Sequence, residues 1–220
     1  MGRTIAILTR LSYILLMQVK PGVNDQVRSF AATARRAQIV EATIETIAEL
    51  GYGQTTFARI AERAGLSSTR LISYHFADKQ DLMGQIVGDL YTEIGAFVGQ
   101  RMAAHRTAAA ALDGYIHATI EYIAEHRTHM KALLGIFLSG ALTTEPSGNE
   151  LVTLLPAEQI LIEGQRQGEF RSFDTAVMAA SIQRSLDGIP LLLESRPDLD
   201  LALCARELAT IYELATRRAT

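Results

Sequence analysis

From Ala34 onward the chain repeats apolar residues at three- and four-residue steps, and almost nowhere at alternate positions. That period favours helices and leaves little room for a sheet. Turn and cap residues cut the pattern into pieces of ordinary helix length: Gly51-Tyr52-Gly53, Gly65-Leu66-Ser67, Gly168 and Ser195-Arg196-Pro197-Asp198, with Glu145-Pro146-Ser147-Gly148-Asn149 between the sixth and seventh. The reading is an all-α fold of about nine helices, near 34–50, 56–64, 68–75, 79–105, 108–126, 128–142, 150–167, 174–194 and 199–217. Asp78 stands where a helix N-cap should.

Of 220 residues 48% are hydrophobic, enough for a packed core. A single cysteine excludes a disulfide framework and a thiolate zinc cage within one chain. No 18-residue apolar run is present, so no membrane partner is expected. The net charge of −3 is unevenly spread. Residues 1–30 carry four bases and one acid, residues 31–80 six and five, and residues 81–220 eleven and eighteen. A polyanion would therefore meet the N-terminal third. Ile5–Val19 is apolar but broken by Arg10, Ser12 and Gln18, and no small-x-small cleavage site follows it. Residues 1–33 are expected to be a poorly ordered extension, with Lys20-Pro21-Gly22-Val23-Asn24-Asp25 as a linker, and the protein to be cytoplasmic.

Thr56 to Phe76 is the most informative stretch. Two short helices around Ala64-Gly65-Leu66-Ser67 have the dimensions of a helix-turn-helix. Gly65 supplies the positive φ of the tight turn, Leu66 plugs between the helices, and Ser67 or Ser68 caps the second one. Hydroxyls and Arg70 then stand at the tip of that helix, the geometry that reads a major groove. Arg35 and Arg36, at the start of the first helix, are also suited to a polyanion.

The wider string Thr55-Thr56-Phe57-Ala58-Arg59-Ile60-Ala61-Glu62-Arg63-Ala64-Gly65-Leu66-Ser67, followed by Ile72-Ser73-Tyr74-His75-Phe76-Ala77-Asp78-Lys79-Gln80-Asp81-Leu82, resembles the TetR family of repressors. The resemblance is strongest over residues 34–84. It implies a homodimeric regulator bound to a double-stranded DNA operator and released by a small molecule. By position it implies phosphate contact from Thr56 and Lys79. Ser67, Ser68, Thr69 and Arg70 would face the groove, Tyr74 and His75 would contact phosphate or base edges, and Phe76 would lie inside. The family often has Gly where Arg70 stands and Tyr where Ser73 stands, and the stretch from Gly65 to Phe76 is one residue longer than in many members. Residues 34–80 are assigned to DNA binding, and residues 81–220 to a helical domain for ligand binding and dimerisation.

In that second part Tyr115, Thr119, Tyr122, His126, Met130, Leu134 and Phe137 fall mostly at helical spacing, polar groups beside an apolar stripe. They are the candidate lining for a largely apolar effector. The eighth and ninth helices are apolar over wide arcs, including Leu208 and Ile211, and suit a four-helix interface with a second copy. Gly188 and Pro190 are expected to bend or weaken the eighth. Histidines 105, 117, 126 and 129 gather in the fourth to sixth helices. His126 and His129 have the spacing of a metal pair, but a helix break is expected at Arg127-Thr128, with Glu121 or Glu125 as the only carboxylate help. No metal or other cofactor and no catalytic constellation is assigned. The alternatives are a helical enzyme using the histidines, or a DNA-binding or interaction protein that takes no ligand.

Overall fold

The computed structural model describes residues 23–140 and 149–218, with side chains over residues 32–140 and 156–218. Nine α-helices run through the described residues: α1 Val23–Leu50, α2 Phe57–Arg63, α3 Arg70–His75, α4 Lys79–Met102, α5 Ala108–Glu125, α6 Arg127–Leu138, α7 Asn149–Arg166, α8 Thr175–Ser195 and α9 Leu201–Thr216. The fold is all-α. Among the described residues the other regular features are a 3-10 turn at Tyr52–Gln54 and an isolated bridge between Phe170 and Arg217.

The caps explain most of the boundaries. Thr56, Asp78, Thr107, Asp174 and Asp200 each accept a hydrogen bond from a backbone N–H three residues on. Asp78 thus caps α4 as its position in the sequence implied. Two expectations change. α1 begins at Val23, eleven residues before the expected start, so the linker and extension assigned up to residue 33 are helical from Val23 on. The sequence read as a linker there because Lys20-Pro21-Gly22 and Asn24-Asp25 are turn formers, and residues 32–35 face solvent and add no inward stripe. The rest of the extension, residues 1–22, and the turn before Asn149 lie outside the described residues. α8 runs on through buried Pro190, which the sequence expected to bend or weaken it.

α1 packs on α6, α9 on α5, α4 on α5, and α7 on α8. Two apolar cores result. The head core joins Ile39, Ile44 and Ile47 of α1 to Ile60, Ile72, Phe76 and the first three turns of α4, ending at Leu90. It also takes in Ala132, Leu133 and Ile136 of α6. α1 and α6 approach closely at Gly135, where a Cβ would stand 3.1 Å from Ile47 Cγ2. The body core is built from α5, α7, α8 and α9. Met130 packs against both. The head core therefore does not end at residue 80: α4 and α6 complete it, and α4 goes on to carry Val98 into the body core.

Candidate nucleic-acid interface

α2 ends in a Schellman turn. Leu66 N–H donates to the Ala61 carbonyl at 2.8 Å and Gly65 N–H to the Glu62 carbonyl at 3.1 Å. Gly65 has φ +61°, which a β-carbon would strain. Leu66 is half-buried against the head core, as a plug between the two helices should be. The turn is followed by Ser67, Ser68 and Thr69, all exposed, and α3 starts at Arg70, also exposed.

The capping of α3 differs from the expected one. Thr69 is the N-cap and makes no side-chain cap bond, while the Ser68 hydroxyl accepts from Arg70 N–H at 3.1 Å. Ser68 thereby fixes the direction in which the first residue of α3 leaves the turn. On the inner side of α3, Ile72 and Phe76 are fully buried, so its rotation about its own axis is set by the head core. The outer side then presents Arg70, Ser73 and Tyr74, the last 80% exposed. A phenol that exposed is not a packing residue. Thr56 is exposed at the start of α2, where its hydroxyl accepts from Arg59 N–H at 3.3 Å and keeps its own proton to donate.

Three expected contacts are committed within the head. Arg36 does not face a polyanion: it donates to the His75 carbonyl at 2.9 Å and to Gln85 Oε1 at 2.6 Å, and lies 4.3 Å from the centre of the Phe76 ring. One guanidinium thus ties α1 to the C-terminal end of α3, where the macrodipole favours a cation, and to α4. Lys79, expected on a phosphate, donates to the Tyr52 carbonyl at 3.0 Å with its ammonium 3.7 Å from the centre of the Tyr52 ring. Burial lowers its pKa from the usual lysine value. His75 is half-buried and meets Tyr74 edge-on at 5.1 Å. Burial, then the charges of Arg36 and Arg35, hold its pKa below 6.5. These cross-links lie far apart in sequence, and no local motif announces them.

The candidate effector residues lie in different surroundings. Tyr115 is buried and donates to Gln183 Oε1 at 3.0 Å, and Gln183 donates in turn to Asp187 at 2.8 Å. Thr119 returns its hydroxyl proton to the Tyr115 carbonyl at 2.8 Å. Tyr122 is buried and stacks on half-buried His126 with centroids 4.2 Å apart. Met130 sits between the cores, Leu134 is half-buried, and Phe137 is 47% exposed beside Tyr91. Phe137 is on the surface because α6 turns its other side, with Leu133 and Ile136, toward α1.

The histidines separate into two groups. His117 bonds its own helix at Asp113, and His105 lies past the end of α4 against Gly114. His126 and His129 stay together, because the break falls at His126 itself and α6 begins at Arg127. Their carboxylates are Glu93 and Glu41, from α4 and α1. Of the two expected helpers, Glu121 is paired with Arg101. Sequence spacing could not bring Glu41 or Glu93 to this place.

α8 and α9 keep apolar residues on the outside. Val177, Leu191 and Leu192 on α8, and Leu203, Ile211 and Leu214 on α9, are between 44% and 68% exposed. Leu208 is half-buried in the body core. No helix of the described residues is long and apolar enough to cross a membrane.

Residues 39–86 match the family described as bacterial regulatory proteins, tetR family. The chain is 26% identical over 185 residues to the HTH-type transcriptional regulator BetI of Cronobacter sakazakii, covering 80% of this chain and 91% of that one. Among solved structures it resembles the fatty acid degradation regulator FadR of Bacillus halodurans, with TM-score 0.71, 20% identity and coverage of 88% and 96%. It also resembles a bacterial regulatory protein in the tetR family from Rhodococcus RHA1, with TM-score 0.72, 21% identity and coverage of 84% and 98%.

Proposed function

Given that the chain belongs to the TetR family of helix-turn-helix transcriptional regulators, we propose that it is a homodimeric repressor released from its operator by a small, largely apolar molecule. The observation that carries the reading is the orientation of α3. Ile72 and Phe76 are sealed into the head core, so Ser67, Ser68, Thr69, Arg70 and Tyr74 form one outward surface of hydroxyls, a phenol and a guanidinium. Arg70 is the group suited to a guanine edge, through its two-donor fork. Thr56 and Tyr74 are suited to phosphate oxygens. Lys79 and His75 act as positioning residues for this surface. Residues 34–80, with α4 and α6 completing their core, form the reading head, and residues 81–220 form the regulatory body.

The apolar stripes of α8 and α9 support pairing with a second copy, which sets two heads on successive major grooves. α4 supports the coupling, because one rigid helix has its first turns in the head core and Val98 in the body core. An effector that prefers a dimer with the heads held at the wrong separation lowers the fraction able to bind. An apolar effector fits the apolar composition of the body, and the related fold of a regulator described for fatty acid degradation supports that class. With Tyr115 and Thr119 of α5 already hydrogen-bonded, we place the effector outside the Tyr115–Gln183 pair.

The test is selection of bound sequences from a random DNA pool, followed by affinity measurements on the selected site. Arg70→Ala should relax base preference at one position, at a cost of about 1–3 kcal/mol. Ile211→Glu should leave the fold intact, yield monomers and lose tight operator binding. Unchanged preference in the first variant, or a wild-type monomer at micromolar concentration, overturns the reading.

A further inference from the structure

The joint between head and body contains a group of side chains that DNA reading does not use. His126 ends α5, His129 follows one turn later on α6, Glu93 comes from α4, and Glu41 comes from α1. Glu93, His126 and His129 each offer a ligand atom, and these atoms lie within 4.8 Å of one another. We propose that Glu93, His126 and His129 bind a divalent transition-metal ion of the zinc type, with Glu41 orienting His129, and that the ion ties α4 to the α5–α6 corner.

The distances favour a shared ion over direct pairing. His126 Nδ1 is 3.6 Å from Glu93 Oε1, and His129 Nδ1 is 4.0 Å from Glu93 Oε2. Both are too long for hydrogen bonds. A tetrahedral ion with bonds of about 2.1 Å holds its ligand atoms roughly 3.4 Å apart, so a side-chain adjustment that draws in atoms now within 4.8 Å of one another completes the set. Two imidazoles and a carboxylate, with a position left for water, are a zinc donor set.

The buried polar atoms point the same way. His129 Nδ1 is buried and makes no hydrogen bond. Its other ring nitrogen lies 3.6 Å from Glu41 Oε2. A proton on Nε2 facing Glu41 leaves a lone pair on Nδ1, directed at the gap. A few tenths of an ångström of closure would make this pair the carboxylate–histidine support of a metal-bound imidazole. The Tyr122 hydroxyl is buried beside Glu93, and burial and then the Glu93 carboxylate hold it protonated. Buried polar groups without partners are rare, and the unpartnered Nδ1 of His129 belongs to the same group of side chains.

The rings are also held in place. His126 stacks on Tyr122 at 4.2 Å and on His129 at 5.6 Å, with Phe97 meeting its edge at 6.0 Å. An open groove lined by Glu41, Glu45, Glu125, His126 and His129 gives an ion a way in. Its acidic rim raises the local cation concentration. The sequence paired His126 with His129 but looked to Glu121 or Glu125 for a carboxylate, whereas Glu93 and Glu41 come from α4 and α1.

Ion binding stands apart from the reading of the head, whereas its effect on the operator rests on that reading. The test uses the full-length protein stripped with chelator and dialysed against zinc chloride, with bound metal counted per chain. Wild type should take up one zinc ion per chain and unfold at a higher temperature when loaded. Glu93→Gln and His126→Asn should each weaken uptake at least tenfold and remove the thermal gain. Glu41→Gln should cost roughly tenfold in affinity. His117→Ala, remote from the site, should bind like wild type. Glu93→Gln preserves size at an exposed position, and its circular dichroism before loading reports whether it folds. No saturable uptake by wild type, or equal uptake by Glu93→Gln and His126→Asn, overturns the proposal. Operator affinity measured with and without zinc is a separate readout: a protein that binds zinc at this site but no DNA refutes the repressor and leaves the ion site standing.

Discussion

In the head, the hydroxyls of residues 67–69, Arg70 and Tyr74 stand outside a scaffold of Ile60, Ile72 and Phe76. In the body, the corresponding polar groups face inward, where Tyr115 bonds Gln183 and Tyr122 stacks under His126. The head thus separates the residues that hold the fold from those left on its outer surface. The body mixes them, so changing a hydroxyl there changes the packing. That outer surface takes its orientation from Arg36, which ties α1 to α3 and α4, and from Lys79, which ties the start of α4 to Tyr52.

The comparison is most exposed to failure at Phe76. Its ring is 1% exposed and carries the Arg36 guanidinium on one side. Phe76→Ala should cost about 3–5 kcal/mol in urea unfolding, through the lost burial and the cavity left behind. Arg70→Ala, on the same short helix, should stay within about 0.5 kcal/mol of wild type. Similar losses from the two variants would erase the distinction between inner and outer faces of α3. In the body, Tyr115→Phe should cost about 1–3 kcal/mol, because it leaves the Gln183 carbonyl oxygen buried without its donor. Burial and then the Asp187 charge keep this phenol protonated and therefore a donor. The variant should unfold more easily with an unaltered response to inducer. A lost response at unchanged stability would make Tyr115 an effector contact and give the body the same division of labour as the head.

The contrast also explains what could be read from the sequence. The helix-turn-helix was legible because its signals are local: Gly65 at the turn, Leu66 as plug, Asp78 as cap, and apolar residues three and four apart. Helix number and most boundaries followed from the same short-range chemistry. The start of α1 did not, because Lys20-Pro21-Gly22 and Asn24-Asp25 read as a turn-rich linker. The bonds of Arg36 and Lys79 within the head were not legible, because a cation near a helix start looks alike whether it meets a phosphate or a carbonyl 39 residues away, as Arg36 does. Phe137 looked inward by spacing, but which side of α6 is covered depends on α1, a choice made by tertiary packing. Glu41 and Glu93 reach the histidines only after four helices are assembled.

Lys79 gives a smaller and more discriminating effect. Lys79→Met keeps the aliphatic stem but removes the donor to the Tyr52 carbonyl and the ammonium above its ring. A charge-assisted bond of this kind is worth about 1.5–3 kcal/mol, less what is recovered by no longer burying a charge. The net loss should be about 1 kcal/mol in unfolding, with weaker operator binding at every salt concentration. The slope of log affinity against log salt should not change. A slope shallower by about one unit would instead return Lys79 to a phosphate contact.

His75 should give the smallest effect, and it separates a positioning role from a phosphate contact by pH. Burial, followed by Arg36 and Arg35, lowers its pKa from 6.5 in the folded chain. Between 6.5 and that lower value the unfolded chain holds the proton more often than the folded one. Stability from this residue is therefore whole above pH 6.5 and declines as pH falls through the window. His75→Gln should flatten that part of the stability–pH curve, read as urea midpoints from pH 7.5 down to 5. Operator affinity answers the second question. A phosphate beside the ring would favour the imidazolium, so acidification would strengthen wild-type binding relative to His75→Gln. With His75 as a positioning residue, held by its carbonyl bond from Arg36 and by the Tyr74 ring, both proteins should keep parallel affinity curves over the same range. Divergence toward tighter wild-type binding at low pH would move His75 from the scaffold of the head to its reading surface.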